Sequence, residues 1–245
     1  MKYTSSPSII MRIRDLRESD LLVTFFTPDR GQLKGVAKAA RKSRKRFANC
    51  LETFSLVDLE YGIRKDGGLC FIRSGRLLDG FPGLRGDFNT LSKASFMIEL
   101  TEILFPSEVA DRAMFDHLSH SLGRLASGGE SDQALLFFEA RALALGGYAI
   151  RTEKCCICGR HYTHTGTAVF KREKGGIACL RCQQKSAETP SLTPESVSIL
   201  EHMQHGAIAE PGCIWERATE EIRSVIDLHR EYRLERKLKT LKYLL

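Results

Sequence analysis

Thr53-Phe54-Ser55-Leu56-Val57-Asp58-Leu59-Glu60-Tyr61 alternates without a fault: Ser55, Val57, Leu59 and Tyr61 fall on one side, Phe54, Leu56, Asp58 and Glu60 on the other. A period of two is the signature of a β-strand whose two faces meet different surroundings. Upstream, Ser8–Arg14 sets Ile9, Met11 and Ile13 against Arg12 and Arg14. Leu21–Thr27 is a β-branched and aromatic run, and Pro28-Asp29-Arg30-Gly31 supplies turn chemistry after it. Gln32–Ala39 is a third run, with Lys34, Val36 and Lys38 on one face. Downstream, Asp66-Gly67-Gly68 turns into Leu69–Leu78. Five short strands with punctuating turns predict a small barrel or sandwich. Five is the strand count of an OB-fold, a partly open barrel often used on oligonucleotides; an SH3-like barrel fits nearly as well.

Phe81-Pro82-Gly83 breaks this pattern and marks a boundary near residue 80. Helical patterns follow over Asp87–Phe105, Glu108–Ala126 and Asp132–Leu145, the last running into Gly146-Gly147. That third segment is apolar nearly all round, which predicts the buried helix of a bundle. Thr193 and Pro194 open another helix toward His205, as an N-cap and a first-turn proline do. Glu210-Pro211-Gly212 interrupts, and a last helix is expected from Trp215 onward. The fold class is therefore read as α+β and multidomain. Residues 1–80 form the barrel, 81–150 the first part of a helical bundle, 151–185 a cysteine-rich module, and 186–245 the helices completing the bundle.

Composition excludes some classes. Of 245 residues, 42% are hydrophobic and 27% charged, an ordinary globular balance and not that of a disordered chain. No apolar run approaches the ~20 residues of a membrane-spanning helix. The N-terminal stretch lacks the apolar region of a signal peptide, which predicts a cytoplasmic, reducing setting and no membrane partner. No GxSxG, HExxH, GxGxxG or GxxxxGK[ST] is present, so a non-enzymatic role is expected. The net charge of +7 is unevenly placed. Residues 1–80 and 151–185 are strongly basic, whereas 81–150 is acidic, a separation that points to a polyanionic partner.

Eight cysteines lie at 50, 70, 155, 156, 158, 179, 182 and 213. Cys155-x-x-Cys158 and Cys179-x-x-Cys182 are a pair of knuckles able to bring four thiolates to one tetrahedral ion, zinc being the usual occupant. Iron and a redox role are chemical rivals. Cys156 could replace Cys155, and His161 and His164 are spare donors. Tyr162–Lys171 and Gly175–Ala178, between the knuckles, could form a hairpin. Cys50, Cys70 and Cys213 stand alone and read as small core residues. A closed four-thiolate site has no open position for water, so its role is structural. The second signal is Lys34, Lys38 and then Arg41, Lys42, Arg44, Lys45 and Arg46, ending at Phe47. Between strands this is expected to be a mobile loop reaching successive phosphates. Phe47, Phe54 and Tyr61 are candidates for stacking on bases or, more simply, for the core. The C-terminal basic residues from Arg230 to Lys242 accompany leucines at roughly helical spacing.

Several segments, in serial order, resemble the RecO family of bacterial recombination mediators. They are Arg14–Asp20; Gly35-Val36-Ala37-Lys38 with its basic tail; Phe54–Tyr61; Phe81-Pro82-Gly83-Leu84-Arg85; Phe138–Leu143 running into Gly147-Tyr148; and Cys155-x-x-Cys158-Gly159. The likeness covers roughly residues 8–185. It implies an N-terminal OB-fold, a helical bundle and a C4 zinc module. It implies binding of single- and double-stranded DNA, and annealing of strands coated with single-strand-binding protein. It also implies loading of RecA together with RecR. Carried onto this chain, DNA contact falls on Arg12, Arg14, Lys34, Lys38, Arg41, Lys42, Arg44, Lys45 and Arg46, and metal ligation on Cys155, Cys158, Cys179 and Cys182. The competing readings are an RNA-binding OB-fold/zinc-ribbon protein and a carboxylate- and magnesium-dependent nuclease.

Overall fold

A computed structural model describes residues 3–43, 45–63, 68–128, 131–186, 189–206, 216–234 and 236–244. Arg44, the Asp66-Gly67 turn, the Glu210-Pro211-Gly212 interruption, Cys213 and Trp215 lie outside the described residues. The protein is α+β and divides into two compact units, Met1–Ser131 with Thr240–Leu245, and Asp132–Lys239.

The first unit is built on a closed five-stranded barrel. Its strands are β1 (Tyr3–Asp15), β2 (Leu21–Thr27), β3 (Gly31–Ala37), β4 (Leu56–Gly62) and β5 (Cys70–Asp79), in the order β1-β2-β3-β5-β4. β3 and β5 pair in parallel and β1 closes the ring antiparallel to β4, which is the OB arrangement. The alternation of β4 holds: Val57, Leu59 and Tyr61 point into the barrel with Val23, Phe25, Leu33 and Ile72. In β1 it fails. The register slips between Ile10 and Arg12, so Ile10 joins the barrel interior, Ile13 packs against it, and Ile9 is left on the outside. A bulge adds one residue and reverses which parity faces inward.

The outer face thus has two halves. The lower half, with Ile9 and Phe26, is completely buried. Phe26 lies 6.3 Å from Phe105 and 6.5 Å from Phe115, which belong to the helical segment packed there. That segment holds α1 (Phe88–Leu104) and α2 (Arg112–Ala126), each N-capped by an aspartate: Asp87 accepts from Thr90 N and Asp111 from Met114 N. In the upper half Arg12, Arg14 and Lys34 are exposed, Leu22 is half-buried, and Thr24 and Val36 are buried.

The second unit contains α3 (Ser131–Leu143), a three-stranded sheet of β6 (Ala168–Lys171), β7 (Gly176–Cys179) and β8 (Ser191–Leu192), then α4 (Pro194–His205) and α5 (Glu216–Leu234). Ser131, the first residue of α3, clusters with the first unit. α4 starts as the sequence predicts, with Thr193 accepting from Ser196 N, and ends on Gly206 in the left-handed region (φ 78°). α5 stops at Leu234, short of the C-terminus, and buries Ala218, Ile222, Val225 and Ile226. Of the C-terminal leucines, Leu228 and Leu234 lie in α5, whereas Leu238 and Leu241 lie beyond it.

α3 is apolar almost throughout, yet it carries a fully buried carboxylate. Glu139 bonds to Arg230 and, at 3.2 Å, to Arg223. Arg230 also meets Asp227 at 2.9 Å. Burial pushes the Glu139 carboxyl up against the opposing pull of the two arginines. Removing one member of such a set strands the others without water. Glu139→Ala is therefore expected to cost about 3–5 kcal/mol of stability. Urea unfolding checks this; a loss near zero would mean that Arg230 finds another anion.

Candidate nucleic-acid interface and metal centre

Strand register places the basic residues. Arg12 is opposite Thr24, and Thr24 is opposite Lys34, giving one row across β1, β2 and β3. The next row is Arg14, Leu22 and Val36, with Phe71 of β5 beyond Val36. Lys38 follows the end of β3 and its Nζ sits 5.3 Å from the Phe71 ring centroid. The upper half of the outer face is therefore an apolar strip, with Leu22 and Phe71 half-buried and Val36 buried, rimmed by cations. Among the described residues, Arg14, Lys34 and Lys38 are exposed and have no carboxylate partner.

The other expected cations are placed differently. Arg12 is tied to Glu102 of α1 through Nε (2.8 and 2.7 Å) and Nη2 (2.5 Å), which holds the guanidinium still more firmly protonated. A phosphate would have to displace that pair. Arg41 binds Asp15 at 2.5 Å, both side chains being exposed. Lys42 and Lys45 are exposed. Arg46 is anchored to β5 and to the end of β3: its carbonyl accepts from Gly75 N of β5 at 2.8 Å, and its side chain donates to Lys38 O. Lys45 and Arg46 line a cleft with Tyr3 of β1 and with Asp58 and Glu60 of β4. Arg44 lies outside the described residues.

The described residues of the basic run consequently cap the barrel, where their charge suggests a mobile loop. Ala40, Phe47 and Cys50, flanking the cations, plug the barrel core. Their burial fixes the backbone, because apolar surface removed from water outweighs the freedom of a charged loop. The turn between β1 and β2 clamps its start: Asp20 accepts from Ala39 N at 2.8 Å, and Ser19 O from Arg41 N at 3.2 Å. Phe47, Phe54 and Tyr61 are all buried, so the proposed aromatic stacking residues belong to the core. Cys50 and Cys70 are buried there too, and burial pushes both thiols up.

The knuckles converge. The sulfurs of Cys155, Cys158, Cys179 and Cys182 all lie within 4.8 Å of one another, and Cys158 and Cys179 are 3.9 Å apart. A tetrahedral Zn–S bond of about 2.3 Å requires sulfurs roughly 3.8 Å apart, so only a small contraction is needed. β6 and β7 form the expected hairpin and deliver Cys179 at its end. Gly159 takes φ 74° and its N–H bonds to Cys155 O at 2.9 Å, the tight turn a knuckle needs. Cys179 N donates to Cys155 Sγ at 3.4 Å. Burial opposes ionisation of Cys155, but the amide donors of Cys158, Cys179 and Ile157 outweigh it, and the thiol falls to about 6. Cys182 is pushed up to about 12 by its contacts with Cys158 and Cys179. Four thiolates this close need a cation to ionise together. The donor set thus fits a metal, and zinc suits its softness and geometry. Cys156, His161 and His164 are not in the cluster. Cys156 N pairs with Ile177 O, and His164 faces Glu201 at 3.7 Å.

With this geometry in place, comparison with known proteins is decisive. The family described as Recombination protein O N terminal matches residues 1–81, and that described as Recombination protein O C terminal matches residues 85–242. The chain belongs to the Recombination protein O family. Among RecO proteins, it is similar to one named DNA repair protein RecO from Syntrophus aciditrophicus, 31% identical over 240 residues, covering 96% of this chain and 92% of the relative. Another of that name, from Anaeromyxobacter dehalogenans strain 2CP-C, is 31% identical over 240 residues, covering 96% and 93%. A third, from Syntrophotalea carbinolica, is 36% identical over 182 residues, covering 74% and 70%. No helix among the described residues is long and apolar enough to cross a membrane.

Metal analysis of the purified chain is expected to give about one zinc per chain. Cys158→Ser and Cys179→Ser should each lose it and lower the thermal midpoint, since ligand loss is folding-energy loss. Full metal content and stability in both variants would refute the ligand set.

Proposed function

We propose that this RecO family member acts in DNA repair as a non-enzymatic recombination mediator. In this reading the barrel of residues 1–80 binds single- and double-stranded DNA, and the protein anneals complementary strands coated with single-strand-binding protein. With RecR it assists loading of RecA, in the bacterial cytoplasm at the nucleoid. The observation that carries the DNA-binding step is the upper half of the outer barrel face, where Arg14, Lys34 and Lys38 rim the strip of Leu22, Val36 and Phe71 with no carboxylate partner among the described residues. Family membership supplies the DNA repair context.

The physical role of this face is charge neutralisation. Two DNA strands repel each other, and cations that displace condensed counterions remove part of that repulsion before base pairing begins. Lys42 and Lys45 extend the positive surface along the cap. Arg12 and Arg41 contribute once a phosphate competes with Glu102 and Asp15. The four cysteines, holding zinc, brace the 151–185 module and stay outside the chemistry of annealing. Backbone phosphates carry no sequence information, so binding is expected to be indifferent to sequence.

Arg14→Ala, Lys34→Ala and Lys38→Ala together should weaken DNA binding and flatten the slope of log K against log[salt] by about 0.7–0.9 for each lost phosphate contact. An unchanged slope and affinity would remove this face from the DNA site. Annealing of complementary oligonucleotides coated with the cognate single-strand-binding protein, with and without this chain, tests the mediator reading. No acceleration would refute it. Preference for RNA over single-stranded DNA in competition would favour a role on RNA, and magnesium-dependent cleavage of labelled DNA would make the chain a nuclease.

A further inference from the structure

Phe88 and Tyr243 are far apart in sequence and both large apolar residues open to solvent, 64% and 44% exposed. They meet edge to face, with ring centroids 6.1 Å apart at 87°. The contact is held from below. Glu99 of α1 accepts from Thr240 N at 2.9 Å and from Thr240 Oγ1 at 2.7 Å, which clips the C-terminal segment to the helix. The turn Leu241–Tyr243 then brings the tyrosine back over the start of α1. Lys242 Nζ lies 4.7 Å from the Tyr243 centroid. Asp87, the nearest acid in sequence, is engaged as the α1 cap by Thr90 N and Thr90 Oγ1.

The same helix borders a cleft of about 260 Å³ lined by Arg12, Arg14, Phe54, Ser95, Ile98 and Thr240. Ser95 is two turns from Phe88, about 10 Å along the helix axis. A strand gripped at Arg14 on the barrel face therefore has a short path over α1 to the aromatic pair.

The core does not need these rings, because neither is buried. What they offer is the exposed ring of Phe88, buttressed edge to face by Tyr243, whose own ring carries the Lys242 ammonium over it. That combination suits a π-face attached to a phosphate, namely an unpaired nucleobase. A base within a duplex has both faces covered by its neighbours and cannot stack there. We propose that Phe88 and Tyr243, with Lys242, form a stacking platform for an unpaired base of a single strand whose backbone is held at Arg14. The proposal rests on the DNA-binding reading above and adds to it a means of telling single strands from duplex.

The test measures affinity of the full chain for a labelled oligothymidylate and for a blunt duplex of equal length. Phe88→Ala should weaken single-strand binding about 5- to 150-fold, the span of one lost base stack. Duplex binding should change less than about twofold, by the same argument. Tyr243→Ala should act in the same direction, and Phe88→Trp should retain single-strand affinity. Because Phe88 is exposed, its variants should unfold at the wild-type midpoint. Equal losses on both nucleic acids, or none on either, would overturn the platform. A wild-type chain that binds neither probe would overturn the DNA reading and the platform with it.

Discussion

Gly35 lies where β3 meets β5, and a methyl group added to it would come within 2.8 Å of Ile72 Cγ1. That close parallel approach closes the barrel, since β3 and β5 are distant in the antiparallel path of the chain. Closure gives every strand a paired neighbour on both sides, though β3 and β5 meet only over Gly35–Ala37 and Cys70–Ile72. A ligand on the barrel face meets the side chains of its outer surface. The β1 bulge then decides which side chains those are. By turning Ile10 inward and leaving Ile9 outside, it gives the outer face an apolar lower half for the helices and a cationic upper half for solvent.

Charge in this molecule does different work at different depths. Glu139 and Arg230 are buried together, and their pairing compensates a desolvation that neither could bear alone. Arg12 and Glu102 form an ion pair on the surface of the first unit, bridging β1 to α1. Exposed pairs such as Arg41 with Asp15 contribute little to folding and are open to exchange with a phosphate. Arg14, Lys34 and Lys38 carry no such partner among the described residues, so they bind an anion without first breaking a bond. A cation count treats all of these residues alike; their surroundings separate them.

Legibility followed the range of the interaction. The β4 alternation, the Thr193–Pro194 helix start and the Cys-x-x-Cys spacing depend on neighbours a few residues away, and each forms as its sequence predicts. The Ser8–Arg14 faces were misread because a bulge is set by strand pairing, which the local pattern does not contain. The basic segment after β3 looked like a free loop because its charges are conspicuous. The sparse Ala40, Phe47 and Cys50 that pin it to the core become meaningful only once the barrel exists to receive them.

The sequence alone determined the barrel strands, the helix starts and the pair of cysteine knuckles, because propensity, periodicity and turn chemistry act within short windows. Tertiary structure decided which cations stand open and which are tied to carboxylates. It brought four sulfurs within reach of one ion and set Tyr243 against Phe88. These are contacts between residues far apart along the chain, and their distances exist only after the backbone has closed.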